Sequence, residues 1–212
     1  MATIAVIDYG MGNLRSVAKA LEHVAPAARV LVTQDPAVIA AAERVVFPGQ
    51  GAIRDCMMEL ARLELVEPLR RAARDKPFLG LCLGPQALME FSEENGGVAA
   101  LGVLPGRVRA FGALTDSRGG RLKVPHMGWN RVHQTRAHPL WEGIAQDSRF
   151  YFVHSYYLDP QDPQLSAGTT DYGLTFTAVV ARDNVFAVQF HPEKSSHTGL
   201  RLLANFTQWR PL

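Results

Sequence analysis

Short β-branched runs alternate with helical stretches through the first half of the chain. Thr3 to Asp8 is such a run, and it ends in Tyr9-Gly10-Met11-Gly12-Asn13. Leu14 to Val24 follows as an amphipathic stretch, with Leu14, Val17, Ala18 and Leu21 on one face and Asn13 placed as its N-cap. Arg29 to Thr33 reads as a second strand and Arg44 to Phe47 as a third, which runs directly into Pro48-Gly49-Gln50-Gly51. Ile53 to Arg74 is helical in two pieces, Pro77 to Cys82 is a buried strand, and Gly84 to Phe91 a helix after it. Alternation of this kind builds βαβ units, and these build a parallel sheet covered by helices on both faces.

The second half changes character. Val108 to Phe111, Leu122 to Val124, Phe150 to Val153, Thr175 to Arg182 and Val185 to Phe190 read as strands, with Asp183-Asn184 as a hairpin turn between the last two. Ser196 to Gln208 reads as a closing helix with Leu200, Leu203, Ala204 and Phe206 turned inward. The expectation is a single α/β domain over residues 1–212. Its central sheet is mostly parallel, flanked by helices, with an antiparallel extension at an edge.

Composition narrows the function classes. Apolar residues are 47% and charged residues 20% of 212, enough for a full core and unlike a disordered chain. Lys+Arg 22 against Asp+Glu 20 leaves +2, no electrostatic footprint for nucleic acid or an anionic membrane. No apolar run reaches the roughly 18 residues of a membrane span, and the N-terminus lacks a basic, signal-like region. Cys56 and Cys82 form no C-x-x-C pair and no disulfide framework. A reducing, cytoplasmic compartment with two free thiols is expected.

Cys82 is the residue with a chemical context. Phe78-Leu79-Gly80-Leu81-Cys82-Leu83-Gly84-Pro85-Gln86 is an apolar strand running into a cysteine, with a helix starting within two residues. A nucleophile on a sharp strand-to-helix turn needs small neighbours, which Gly80 and Gly84 provide. The helix N-terminus beside the sulfur favours thiolate, and Pro85 suits a first helical turn. Cys56, between helical neighbours Met57 and Met58, reads as a core thiol.

Gln189-Phe190-His191-Pro192-Glu193 is the second constellation. His191 and Glu193 are two apart, so an extended backbone puts both side chains on one face. A carboxylate beside an imidazole fixes its tautomer and stabilises the imidazolium, the orienting role in a nucleophile–base–acid triad. Gly49, Gln50 and Gly51 offer backbone N–H groups to an oxyanion, with the Leu83 N–H as a second donor. Gly10-Met11-Gly12-Asn13-Leu14-Arg15 follows a strand as a dinucleotide fingerprint would, but Arg15 stands at its sixth position, so nucleotide binding there is rejected. The seven histidines show no metal-ligand spacing. His126, His133 and His138 are expected in loops or at the surface, and no metal or cofactor is expected.

Gly80-Leu81-Cys82-Leu83-Gly84-x-Gln86, Pro48-Gly49-Gln50-Gly51 and His191-Pro192-Glu193 together resemble the class I, triad-type glutamine amidotransferases. Four further blocks are similar to the glutaminase subunits of imidazole glycerol phosphate synthases. They are Ile7-Asp8-Tyr9-Gly10-Met11-Gly12-Asn13-Leu14, Pro125-His126-Met127-Gly128-Trp129-Asn130, Tyr151-Phe152-Val153-His154-Ser155-Tyr156 and Gln189 to Ser195. The resemblance implies Cys82 as nucleophile, His191 as proton shuttle and Glu193 as its orienting carboxylate. It implies an oxyanion site at Gly49 to Gly51 and Leu83, and glutamine-binding positions at Gln86, Glu94, Ser155 and Tyr156. It also implies a partner cyclase, a (β/α)₈ barrel that receives the ammonia, met by Asn13, Trp129, Tyr151 and Lys194. Pro85 departs from the resemblance, since Met or another non-proline residue is usual there. The alternatives are an amidotransferase subunit for anthranilate or guanylate synthesis, which the Pro-His-Met-Gly-Trp-Asn block disfavours, and a non-catalytic binding module, which the intact Cys82, His191 and Glu193 disfavour.

Overall fold

The computed structural model describes residues 2–211. Thr3–Ile7 is strand β1 and Leu14–Val24 helix α1, with Val17, Ala18 and Leu21 buried. Asn13 occupies the N-cap position of α1, yet its side chain makes no capping hydrogen bond, so the expected side-chain cap is not formed. Strand β2 (Arg29–Thr33), helix α2 (Pro36–Ala41) and strand β3 (Arg44–Phe47) follow. Helix α2 is too short to show a period. Its sequence mark is Asp35 before Pro36, and the Asp35 carboxylate accepts from the Ala37 amide. The stretch from Ile53 divides into α3 (Ile53–Arg62) and α4 (Val66–Asp75), with Glu64 at φ 57 between them. Strand β4 (Phe78–Leu81) leads into helix α5 (Leu83–Leu88). Helix α5 stops short of the expected Phe91, because Met89 turns extended and Phe91–Ser92 forms strand β5.

Strands β6 (Val98–Ala99), β7 (Gly106–Ala110), β8 (His126–Arg131) and β9 (His133–Gln134) come next. They are followed by β10 (Arg149–His154), β11 (Tyr156–Pro160), β12 (Ser166–Asp171), β13 (Thr175–Arg182), β14 (Val185–Val188) and helix α6 (Ser196–Gln208). The expected strand at Leu122 to Val124 is not one: Leu122 only closes a loop back to the Leu114 carbonyl. The strand begins beyond Pro125, where proline's missing donor no longer interrupts a ladder. On α6 the buried residues are Gly199, Leu202, Leu203 and Phe206, so the inward face lies about one position from the expected Leu200 and Ala204.

Twelve strands form one sheet in the order β2-β1-β3-β4-β14-β13-β11-β7-β5-β6, with β12 on β13 and β9 on β12. From β2 to β14 the neighbours are parallel; from β14 through β13 and β11 to β7 they are antiparallel. Alternate residues of one strand enter two cores. Ile4, Val6, Leu79 and Leu81 face α1 and α6, while Ala5, Ile7, Val45, Phe47 and Phe78 face α3, α4 and α5. Strands β4 and β14 are parallel neighbours in register at Leu81 and Val188. That pairing delivers Cys82 and the Gln189–His191 segment to the same end of the sheet. Strands β8 and β10 make a separate antiparallel ribbon over that end. Among the described residues no helix is long and apolar enough to cross a membrane.

Candidate active site

Cys82 sits between β4 and α5 at φ 55, ψ −90, a backbone that costs a non-glycine residue on the order of 1–3 kcal/mol. Its amide donates to the Val188 carbonyl at 2.8 Å, which ties the turn to β14. The flanking glycines are demanded by space. A Cβ on Gly84 would overlap the Phe47 carbonyl, and one on Gly80 would lie 2.9 Å from Ala187 Cβ. Pro85 is buried in the first turn of α5, where it removes no helical hydrogen bond. The other thiol differs. Cys56 is fully buried in α3, and burial pushes its pKa up to about 12, which keeps it protonated and inert.

His191 Nδ1 and Glu193 Oε1 are 2.9 Å apart, with both side chains almost wholly buried. The two side chains do meet, but they do not lie along one extended strand. Strand β14 ends at Val188, not Phe190, and Pro192–Lys194 is a 3₁₀ turn. The turn, not alternation along a strand, swings Glu193 under the ring. No well-formed bond joins His191 Nε2 to Cys82, yet the thiol is close enough to favour the charged ring. Burial alone would lower the His191 pKa, but Cys82 and Glu193 outweigh it and raise it to about 10. The imidazolium is therefore the stable form at neutral pH. Catalytic contacts of this kind tighten when substrate arrives.

A cavity of about 700 Å³ opens over these groups, lined by Cys82, His191, Leu83, Gln50, Gly51, Gln86, Glu94, Ser155, Tyr156 and Lys194. Gly49 lies just beneath it: a Cβ there would overlap Tyr9 Oη and stand 2.8 Å from Leu83 Cβ. The two donor segments expected to hold an oxyanion are thus adjacent. Gln86 Nε2 donates to the Tyr156 carbonyl at 3.3 Å and to Gln189 Oε1 at 3.1 Å. Glu94 reaches the cavity with one carboxylate oxygen already engaged, accepting from the Ile53 amide at 2.7 Å at the start of α3.

Sequence reasoning passed over Gln189 as a site residue. It is fully buried and its Nε2 donates to the Cys82 carbonyl at 3.1 Å. The signal was its place two residues before His191, at the head of the same segment. The expectation for the histidines also needs correction. His126 is buried in β8, stacked on Phe152 and Tyr172. His138 caps a 3₁₀ turn and packs on Phe186. His133 is exposed and pairs with Asp147.

The expected partner residues divide. Trp129 and Tyr151 face each other across the β8–β10 ribbon, rings 6.1 Å apart, on the side where Met127 is also exposed. Lys194 lines the cavity mouth. Asn13 lies outside the lining, next to Gly12, which is part of it.

The family model "Glutamine amidotransferase class-I" matches residues 5–209. The chain belongs to this family. The amidotransferase is 61% identical to "Imidazole glycerol phosphate synthase subunit HisH" of Nitrosospira multiformis, with all of both chains covered. It is 62% identical to the protein of that name from Methylococcus capsulatus, covering 100% of this chain and 98% of the relative. Among solved structures, that of PurLQS from Thermotoga maritima superposes with a TM-score of 0.72 at 18% identity, covering 98% of each chain. A glutamine amidotransferase crystal structure gives 0.71 at 17% identity, covering 97% of each. At such identities the superpositions speak for the amidotransferase's α/β fold alone.

Proposed function

We propose that the chain is the glutaminase subunit of imidazole glycerol phosphate synthase. It hydrolyses glutamine through Cys82, His191 and Glu193 and delivers ammonia to a cyclase subunit. The observation that carries the reading is the strained Cys82 elbow and the buried His191–Glu193 pair meeting in one cavity. The full-length likeness to HisH subunits supports the choice of partner and pathway.

The Cys82 thiolate attacks the carboxamide carbon of glutamine, and the carbonyl electrons move onto oxygen. N–H groups of Leu83 and of the Gly49-Gln50-Gly51 loop hold that oxyanion. As the C–N bond breaks, His191 gives the proton at Nε2 to the leaving ammonia, and a γ-glutamyl thioester remains. Water then loses a proton to His191 and attacks the thioester, which releases glutamate and returns the thiolate–imidazolium pair. Glu193 holds Nδ1 throughout. Gln86, Glu94 and the backbone at Ser155 and Tyr156 orient the glutamine.

The partner in this reading is a (β/α)₈-barrel cyclase that docks against Trp129, Tyr151, Asn13 and Lys194. It uses the ammonia and a ribulosyl phosphate intermediate to make imidazole glycerol phosphate and aminoimidazole carboxamide ribotide, in the cytoplasm. The test is glutamate release by the purified chain alone and with the cyclase and its ligand. Strong stimulation by the cyclase supports the reading. Equal, fast turnover in both removes the coupling and leaves a simple glutaminase.

A further inference from the structure

Beneath the β8–β10 ribbon, His154 Nδ1 lies 2.8 Å from the Tyr156 carbonyl, His126 Nδ1 lies 2.8 Å from His154 Nε2, and Asn130 Nδ2 lies 3.2 Å from His126 Nε2. His126 is 3% and His154 6% exposed, so both rings are shielded from bulk solvent. A carbonyl only accepts, so His154 carries its proton on Nδ1. Its Nε2 is then a lone pair, which His126 Nδ1–H fills. His126 Nε2 is left as the acceptor of the Asn130 amide, whose nitrogen also donates to the Asp171 carbonyl. One direction satisfies every member. Phe152 and Tyr172 hold the His126 ring and Phe111 packs on His154, which fixes both rings in place.

The far end of the relay is in the cavity wall. The Tyr156 carbonyl also accepts from Gln86 Nε2, Gln86 donates to Gln189, and Gln189 donates to the carbonyl of Cys82. We propose that His126 and His154 are positioning residues of the glutaminase. As neutral Nδ1–H tautomers they orient the Tyr156 carbonyl and, through it, Gln86, linking the partner-facing ribbon to the glutamine subsite. The inference rests on the reading of Gln86 and Tyr156 as glutamine-binding positions. Burial, which lowers the pKa of both rings, favours the neutral state the relay requires. The rings touch neither substrate nor the reacting atoms, so their contribution is to binding geometry.

Two measurements test this. The first is nitrogen-15 long-range correlation NMR of the full chain with labelled histidine at neutral pH. Both rings are expected to be neutral with the proton on Nδ1; an Nε2–H tautomer or an imidazolium at either position overturns the relay. The second is steady-state glutamine hydrolysis, with cyclase and ligand present, by His126→Leu, His154→Leu and His126→Asn. Either leucine variant is expected to raise KM about tenfold, with kcat within about threefold of the parent. His126→Asn puts an amide nitrogen where Nδ1 stood and is expected to restore KM to within about threefold. Unchanged KM in both leucine variants, or an asparagine variant as impaired as leucine, contradicts the proposal. Should the leucine variants fail to fold, the tautomers decide. Failure of the functional reading looks different: the parent chain would then release no more glutamate than Cys82→Ala, whatever the tautomers are.

Discussion

The His191 amide donates to the Tyr151 carbonyl at 2.9 Å, so the base is fastened to β10, whose Tyr151 faces Trp129 of β8. Ser195 doubles the link. Its hydroxyl accepts from the Tyr151 amide at 3.0 Å and donates to the His191 carbonyl at 2.6 Å. Anything that shifts β10 shifts the base. Ser195→Ala removes the acceptor of the part-buried Tyr151 amide, while the His191 carbonyl keeps the Lys194 amide at 3.0 Å, and the loss should cost about 1–3 kcal/mol of stability. Denaturant unfolding measures that, and kinetics should show kcat falling more than KM rises.

His191→Ala should reduce glutamine turnover nearly as much as loss of Cys82, because members of a triad act as a unit. Glu193→Gln should be milder, since the amide still occupies the site beside Nδ1 but no longer favours the imidazolium. Single-turnover assays that separate thioester formation from its hydrolysis check the order. Normal turnover in His191→Ala would rule out the triad.

Gly49→Ala tests the oxyanion loop. A peptide next to glycine rotates at little steric cost and can present either its C=O or its N–H to the cavity. The added methyl would meet Tyr9 Oη and Leu83 Cβ, so the loop must shift away from its donor position. Turnover should fall much more than glutamine affinity, with a stability loss of about 1–3 kcal/mol from overpacking. Tyr9 Oη is buried with only the Cys56 thiol, a weak partner, beside it, so Tyr9→Phe in the same chain should recover part of the stability. No recovery in the double variant would show that the collision with Leu83 dominates.

Thermal stability should fall on the acid side. Burial lowers His126 and His138 to about 4 and His154 to about 3, against about 6.5 in the unfolded chain. His126 and His191 are the titratable groups that add to the shift at His154, while its bond to Tyr156 opposes it. The unfolded state therefore binds more protons below about pH 6.5, and stability is lost as pH falls from there toward 4 and 3. His191 has the opposite sign: its contribution is full below about pH 6.5 and is lost as pH rises through about 10. Calorimetry from pH 8 to pH 4 should show this acid limb, shallower in His126→Asn than in the parent.

The parallel half of the fold was legible because β1, β3 and β4 are buried almost throughout and read as apolar runs, and the part-exposed edge strand β2 is still rich in β-branched residues. Strands β2 and β3 begin and end where the residues imply. The antiparallel half was legible only in part: Thr175–Arg182 begins and ends as expected, and Phe150 to Val153 lies within β10. Strand β12, Ser-Ala-Gly-Thr-Thr-Asp, has no apolar alternation, and β8 carries His126, Gly128 and Asn130 on its inner side, where a β-branched pattern would normally announce a strand. The same substitution of polar for apolar residues hid the His126–His154 relay. A buried histidine and a surface histidine look alike until the strand that inverts them is known. Cys82, His191 and Glu193 were legible because glycine spacing and a Pro-flanked pair encode local geometry. Glu94 was only half legible, since its bond to the Ile53 amide joins segments 41 residues apart.

Glutamine hydrolysis by this chain requires that Cys82, and not Cys56, be the activated thiol. Its most direct test is inactivation by an electrophilic glutamine analogue, with the adduct located by peptide mass spectrometry. One adduct is expected, at Cys82, formed more slowly when glutamine is present. Cys82→Ala should be unlabelled and inactive yet folded, while Cys56→Ala labels and turns over like the parent. Labelling at Cys56, or labelling of Cys82 that glutamine does not slow, would contradict that requirement.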